Sequence, residues 1–258
     1  NPQQMGCIAI GMGAGNRNQG TGAVAIGMES GNTGQRTQVI ALGHQAGYYR
    51  QGIYNRVQTL YNPFGSGNTG ITYTIAIVNT IIYVGGTFTT QGTRIAAFNI
   101  ITNVWYNPFG TGLNNACRVI LPIGNILYTA GDFTDQGTRI AAFNTVTNIW
   151  YNPFGTGVDS TIHTMTNIDN TLYIGGQFTT VNGNTSWNRI ATFNINTNTW
   201  SYPFGTGLNN FCKIILPVGN ILYIGGYFTN QGVKIASFNT LTKVWSNPFG
   251  SGLTSPVS

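Results

Sequence analysis

The sequence predicts an all-β protein that is built from two kinds of repeat. A phrase of the form W-x-[NY]-P-F-G recurs through the second part of the chain, at spacings of 45 or 50 residues, beginning at Trp105, Trp150, Trp200 and Trp245. A shorter unit, x-A-[IL]-G, recurs every 16 residues between residues 8 and 55. Charged residues make up only 6% of the chain while glycine is abundant, a composition that favours turn-rich β structure over long helices.

Composition also limits the functions to be considered. At 258 residues the chain is long enough for one or two packed domains. The net charge of +6 comes from thinly spread cations without a Lys/Arg cluster, so we expect no nucleic-acid partner. No apolar run approaches the roughly 18 residues of a membrane span. The chain has three cysteines, of which Cys117 and Cys212 occupy the same slot in two different repeats. They indicate neither a disulfide framework nor a metal site, and nothing predicts a cofactor.

The short repeat predicts one strand per unit, at residues 8–10, 24–26 and 40–42. Alternation places Ile8 and Ile10 on one face of the strand and Ala9 on the other. One such coil is too thin to bury its apolar stripe, and stacking of coils is what builds a core. Since three coils are too few for a stable monomer, we expect this segment to oligomerise.

The phrase A-V-A-I-G-x-x-[SA]-G at residues 23–31 resembles the head repeats of trimeric autotransporter adhesins. The resemblance covers about 48 residues and implies a left-handed parallel β-roll in which three chains pack around a threefold axis. It leads us to expect a domain over residues 1–52 and a homotrimer formed through residues 8–55. The alternative is a glycine-rich spacer whose periodicity is incidental.

The long repeat predicts four units, over residues 61–105, 106–150, 151–200 and 201–245. In the second unit, strands are expected at residues 116–121, 126–134, 139–143 and 147–151, with Pro122 ending the first of them. Four short strands in about 45 residues make one antiparallel sheet of the size of a propeller blade. The recurring Trp and N-P-F-G are expected to fasten each blade to the next.

The fuller phrase Y-x-G-G-x-F-T … I-A-x-F-N … W resembles kelch-related propeller repeats of surface proteins of fungi, bacteria and large DNA viruses. The resemblance implies a small β-propeller over residues 53–258. Residues 56–60 align with a fourth strand, which gives five copies of that strand against four of the others. The ring therefore closes with four blades, or with five or more if terminal strands complete another blade.

No constellation for catalysis is visible. The five acidic residues form no facing pair of the kind that a glycosidase needs, and His44 and His163 lie in different modules. We therefore expect a protein that is not an enzyme.

Two sets of positions recur as cationic or polar residues and are candidate ligand-binding sites. The first set shares a slot in the first strand, which lines the central channel of a propeller: Tyr73, Arg118, His163 and Lys213. The second set precedes the third strand: Arg94, Arg139, Arg189 and Lys234. Such rings could attract an acidic sugar or a phosphate. Alternatively they are surface charges that keep the chain soluble and protect strand edges.

The third unit carries a five-residue insertion within residues 181–187. It contains Trp187, a candidate for stacking on a sugar ring, and the sequon at Asn184, a candidate glycosylation site. The alternative is a tolerated insertion with Trp187 folded onto the sheet.

Taken together, these features favour a non-enzymatic fibre or surface protein, extracellular or on a virion. An oligomeric roll would present propellers that bind a glycan or a protein partner weakly and gain by multivalency. Two alternatives remain open. One is a purely structural subunit of a virion or extracellular filament, and the other is a secreted carbohydrate-active enzyme.

Overall fold

The computed structural model describes residues 6–16, 20–32, 40–42, 44, 46 and 62–254. This part of the chain is all-β and contains no helix. The chain divides into two compact units, Asn1–Asn62 and Pro63–Ser258.

Unit 1 contains a parallel sheet of three short strands: β1 (Ile8–Ile10), β2 (Val24–Ile26) and β3 (Ile40–Leu42). Ala9 pairs with Ala25, and Ala25 pairs with Ala41. The prediction of one strand per 16-residue unit is therefore confirmed.

The sheet of unit 1 turns its small residues inward. Ala25 and Ala41 are buried, whereas Ile10, Ile26 and Leu42 on the other face are exposed. The coils stack closely enough that a Cβ on Gly11 would lie 2.6 Å from the carbonyl oxygen of Gly27. This spacing explains why glycine follows β1, since no larger residue fits there.

Unit 2 contains four antiparallel sheets of four strands each, in which neighbours in sequence are neighbours in space. Sheet 1 comprises β4 (Thr72–Val78), β5 (Ile81–Gly86), β6 (Ile95–Asn99) and β7 (Val104–Tyr106). Sheet 2 comprises β8 (Cys117–Ile123), β9 (Ile126–Gly131), β10 (Ile140–Asn144) and β11 (Ile149–Tyr151). Sheet 3 comprises β12 (Ile162–Ile168), β13 (Thr171–Gly176), β14 (Ile190–Asn194) and β15 (Thr199–Ser201). Sheet 4 comprises β16 (Cys212–Val218), β17 (Ile221–Gly226), β18 (Ile235–Asn239) and β19 (Val244–Ser246).

The four strands per repeat were predicted, but the ends of the first two strands of sheet 2 were wrong. Pro122 does not end the first strand of sheet 2, because β8 continues to Ile123 and Pro122 pairs with Leu127. β8 is an edge strand of its sheet, and an edge position tolerates a residue without an N–H. The second strand is shorter than predicted and ends at Gly131.

The N-P-F-G turn connects one sheet to the next. Phe109 follows sheet 1 and packs on Phe143 and Trp150 of sheet 2, with ring centroids 4.6 and 5.9 Å apart. The indole Nε1 of Trp150 donates to the carbonyl oxygen of Phe109 at 3.2 Å. Trp105, Trp200 and Trp245 make the same bond to Phe64, Phe154 and Phe204. The turn and the Trp thus fasten adjacent sheets, as the repeat predicted.

The first strands of successive sheets contact one another in chain order, β4 with β8, β8 with β12 and β12 with β16. The core of unit 2 lies between these sheets and is built mainly from phenylalanine, alanine and aliphatic residues. The predicted extra strand at residues 56–60 lies outside the described residues.

Candidate functional site

The first predicted set forms a row along the first strands. The Arg118 guanidinium lies 4.8 Å from the centroid of the Tyr73 ring, and Lys213 Nζ lies 3.5 Å from His163 Nε2. All four residues occupy the same slot of their sheets, so contact between successive first strands brings them together.

Each of the three later members of this row has a partner just after the second strand of its own sheet. Arg118 Nε donates to Asp132 Oδ2 at 2.8 Å, and Gln177 Nε2 lies 2.9 Å from His163 Nε2. Lys213 Nζ lies 5.7 Å from the centroid of the Tyr227 ring. Sequence reasoning missed these partners. The residue just after the second strand changes from one repeat to the next together with the residue in the first-strand slot. This joint change is the sequence signal that could have revealed the partners.

The charge of Arg118 is compensated within the protein. Asp132 pairs with Arg118 and also accepts a 2.5 Å hydrogen bond from Thr161 Oγ1 of sheet 3. Among the four side chains of the row, all of which the structure describes, Lys213 is left as the cation without a carboxylate partner. The row is therefore less positive than four cationic or polar slots suggested.

His163 is held neutral at pH 7. Burial, together with the charges of Lys213 and Arg118, lowers its pKa to about 4, and the charge of Asp132 partly opposes this. Gln177 and Lys213 both approach His163 Nε2 with N–H donors, which fits a neutral ring that accepts at this nitrogen.

The second predicted set is bound to main-chain carbonyl groups. The guanidinium groups of Arg94, Arg139 and Arg189 donate to the carbonyl oxygens of Thr87, Asp132 and Gln177. Lys234 Nζ donates to the carbonyl oxygen of Thr254. All four residues have left-handed backbone, with φ between 66° and 69°. The three arginines therefore hold the loop between the second and third strands, whereas Lys234 ties that loop to the segment after sheet 4.

Trp187 is half-buried and lies on the insertion of sheet 3. Its ring stacks on Tyr202, with centroids 5.4 Å apart and planes inclined by 20°. Tyr202 stands where the other turns of this kind have asparagine, and its hydroxyl accepts a hydrogen bond from the main-chain N–H of Asn188. The insertion and this tyrosine thus form one substructure.

Beside this stack lies a cleft of about 350 Å³. Its walls combine two indole rings with three side-chain amides and other groups, from Val181, Asn182, Asn184, Trp187, Asn198, Thr199 and Trp200. Asn184, the residue of the sequon, is exposed at this cleft. The arrangement offers apolar ring surface beside amide donors and acceptors.

The remaining ionisable groups of interest serve the fold. Partial burial raises the pKa of Asp159, but hydrogen bonds from Thr180 and Thr179 outweigh it and hold that pKa below its ordinary value. Cys117 and Cys212 are buried thiols, and burial raises the pKa of Cys117 to about 12.

Among the described residues, no three His, Cys, Asp or Glu side chains cluster as a metal site requires. No helix in the same ranges is long and apolar enough to cross a membrane.

No family model and no curated protein matches this chain. Among solved structures, the chain is similar to the computationally designed Ika4 protein, with 15% identity and a TM-score of 0.47 over 67% of this chain and 93% of that one. It is also similar to the designed Ika8 protein, with 15% identity and a TM-score of 0.45 over 74% of this chain and 65% of that one. Both scores are too low to support an inference about this chain.

Proposed function

We propose that the chain is a non-enzymatic fibre or surface protein that binds a glycan through the Trp187 cleft of sheet 3. The single observation that carries this proposal is the pairing of two indole rings with asparagine amides in one open cleft. In this proposal unit 1 is a trimeric β-roll and unit 2 has the blade arrangement of a propeller, and the protein is located outside the cell or on a virion.

The roll is supported by the sheet of unit 1. Its strands stack in parallel register with alanine inward, while the larger residues Ile10, Ile26 and Leu42 face outward. Exposed aliphatic side chains on successive coils form a stripe that packing against other copies would remove from water. A trimer would then present three copies of unit 2, and weak binding at each would add up to stronger attachment.

The propeller is supported by the sheets of unit 2. Four four-stranded sheets follow one another, and their first strands lie side by side, as the blades of a propeller do around its axis.

The glycan is supported by the chemistry of the cleft. Sugar rings offer C–H faces that pack on aromatic rings, and hydroxyl groups that both donate and accept hydrogen bonds. Trp187 is already held flat against Tyr202, so little side-chain freedom is lost when a ring packs beside it. Asn184 and Asn198 supply amide groups of both hydrogen-bonding kinds. Asn182 supplies its amide N–H groups, because its side-chain oxygen already accepts two hydrogen bonds from Thr156.

The test is a glycan array probed with the full chain, followed by titration of the strongest ligand. Trp187→Ala should weaken binding by up to about tenfold, because loss of an aromatic stack costs about 0.5–1.5 kcal/mol. Trp187→Phe should retain most of the affinity. Val146→Ala, at an exposed turn of sheet 2, serves as the matched control.

If the wild-type chain binds no glycan on the array, the proposal is wrong and a structural subunit without a ligand becomes the better account. If only acidic glycans bind and Trp187→Ala binds them normally, the row that contains Lys213 is the site instead of the cleft.

A further inference from the structure

The outer face of sheet 1 is exposed where the matching faces of the other sheets are buried. Ile75 of β4 is 67% exposed. Its counterparts in the first strands of sheets 2, 3 and 4 are Ile120, Met165 and Ile215, which are 6%, 7% and 5% exposed. Ile77 is exposed beside Ile75. The difference arises because a preceding sheet covers this face in sheets 2–4, whereas within residues 62–254 no sheet precedes sheet 1.

Sheet 4 shows the reverse pattern on its opposite face. Ile214, Leu216 and Val218 of β16 are 48%, 57% and 56% exposed. The residues in the same slots of sheets 1–3 are half-buried, because the next sheet covers them: Thr74, Ala76, Val78, Val119, Leu121, Ile123, Thr164, Thr166 and Ile168. We call these two surfaces the sheet-1 face (Thr72, Ile75, Ile77) and the sheet-4 face (Ile214, Leu216, Val218).

The three junctions inside unit 2 show how such faces fit. Between sheets 1 and 2, the main-chain N–H of Ile120 donates to Thr74 Oγ1 at 3.2 Å, and a Cβ on Gly85 would lie 2.8 Å from Cys117 Sγ. Between sheets 3 and 4, Ile215 and Thr164 repeat the same hydrogen bond at 3.2 Å.

The junction between sheets 2 and 3 is of a second, apolar kind. Val119, Leu121 and Ile123 of sheet 2 pack against a core that contains Ile162 and Met165 of sheet 3. Two kinds of junction thus alternate along unit 2. The first and third combine the threonine hydrogen bond with apolar contacts of Ala76, Val78 and Ile168, whereas the second has apolar residues in all three slots.

The sheet-4 face carries the residues of the apolar kind. Ile214, Leu216 and Val218 occupy the slots that Val119, Leu121 and Ile123 occupy in sheet 2. The sheet-1 face supplies Ile75 and Ile77 in the slots that Met165 and Asn167 fill at the apolar junction. A junction between a sheet-4 face and a sheet-1 face would therefore be of the apolar kind. This is the kind that the alternation predicts after the junction between sheets 3 and 4.

We propose that the sheet-4 face of one copy packs against the sheet-1 face of a second copy, in the geometry of the junction between sheets 2 and 3. Two copies joined at both ends would bring eight sheets into one ring. Eight lies within the roughly four to eight blades of ordinary propellers, whereas three copies would exceed it. Two-copy closure also leaves no apolar end face in water.

The turn after sheet 4 must move for this junction to form. At the three internal junctions, a Tyr of one sheet packs edge-on against the Phe of the turn that follows that sheet, as Tyr83 does with Phe109 at 6.1 Å. In sheet 4, Tyr223 packs in the same way on Phe249 of the turn that follows, with ring centroids 6.1 Å apart. In the proposed pair, the second copy's own Phe64 already packs on Phe98 and Trp105 of that copy, and its carbonyl oxygen accepts the hydrogen bond from Trp105. The Phe of the preceding turn would occupy this same position. Phe249 therefore moves aside, and Tyr223 packs on Phe64 of the second copy.

The inference concerns unit 2 and rests on its propeller arrangement, as part of the proposed function, but it is independent of glycan binding and of the trimer. Chains that fail to join head to tail and still bind glycan would remove this inference alone. Loss of glycan binding with intact joining would remove the glycan proposal alone.

The experiment is a cross-link between two variants of the full chain that each add one cysteine to the native three, Ile75→Cys and Ile214→Cys. These slots face each other, because Thr74 and Ile120, which share a hydrogen bond at the first junction, are their counterparts. The two variants are co-expressed and treated with a short bis-maleimide. Wild-type chain is the control for the native thiols, of which Cys117 and Cys212 are buried.

The proposal expects a covalent two-chain product from the mixture and none from either variant alone. Adding Leu216→Lys to the Ile214→Cys chain should lower the yield about tenfold or more, because a charge is then placed against apolar side chains. Val146→Lys, on an exposed turn away from both faces, should leave the yield unchanged. A mixture that gives no two-chain product overturns the proposal.

A chain carrying both cysteines separates joining between copies from closure within one chain. A product that runs as a single cross-linked chain at every protein concentration would mean that sheets 1 and 4 meet within the same copy, and would also overturn the proposal.

Discussion

The two units place their large apolar side chains on opposite sides of their sheets. In unit 1 the buried side of the parallel sheet is alanine, and Ile10, Ile26 and Leu42 face outward. In unit 2 the largest fully buried side chains are phenylalanines, and the aromatic rings of neighbouring sheets touch. The described strands of unit 1 therefore leave their larger aliphatic side chains exposed, whereas unit 2 buries large apolar side chains between the sheets of one chain.

This difference separates two sources of stability. Burial inside one chain stabilises at any protein concentration, whereas burial between copies stabilises only when copies meet. All five tryptophans of the chain lie in unit 2, so tryptophan fluorescence follows the unfolding of that unit alone. Three substitutions can sharpen or break the comparison.

The largest effect is expected from Phe154→Ala in unit 2. Phe154 is fully buried and packs on Phe193 and Trp200, with ring centroids 4.5 and 6.0 Å apart. Removing the ring should lower the free energy of unfolding by about 3–5 kcal/mol. Urea unfolding followed by tryptophan fluorescence measures this, at any protein concentration. Leu42→Ala in unit 1 is the control and should leave the same transition in place. A loss below about 1 kcal/mol would contradict the internal core described for sheet 3.

A smaller effect, on association, is expected from Leu42→Lys in unit 1. A lysine on the outward stripe would place a charge between the proposed chains of the trimer and raise the dissociation constant about tenfold or more. Sedimentation over a range of concentrations measures the change, and the fluorescence transition of unit 2 should not move. Unchanged association would show that the stripe of unit 1 is not the trimer contact.

The smallest effect is expected from His163→Gln and depends on pH. Burial and the nearby charges of Lys213 and Arg118 lower the pKa of His163 from 6.5 to about 4, so the unfolded chain binds this proton more readily than the folded chain. Stability is therefore lost as the pH falls from about 6.5 toward 4. Without His163, the melting temperature of unit 2 should fall less over this window. His44→Gln in unit 1 is the control, and an unaltered slope in His163→Gln would contradict the assignment.

The repeats made the strands predictable. Period 16 located β1 to β3, and the longer period located the four strands of each sheet, because both patterns depend on local alternation and turn residues. Pro122 was misread because its tolerance depends on β8 being an edge strand, which only the sheet order reveals. The spacing of the repeats also does not predict which face of sheet 1, and which face of sheet 4, lacks a neighbouring sheet.

The candidate sites were predicted in part for a similar reason. The shared slot brought Tyr73, Arg118, His163 and Lys213 into one row, as expected from repeats that stack. The shared slot does not predict that Arg118 pairs with Asp132. This ion pair removes much of the positive electrostatic field that was expected of the row. The cleft at Trp187 depends on Tyr202, which lies 15 residues further along and comes into contact only through the fold.

The left-handed loops at Arg94, Arg139, Arg189 and Lys234 bear on the basic character of the whole chain. Left-handed backbone is strained for any residue with a Cβ, and a long side chain that reaches a main-chain carbonyl offsets that strain. These positions account for four of the 11 lysines and arginines. A good part of the isoelectric point of about 9.3 is thus a by-product of loop construction. It gives little reason to look for an acidic partner.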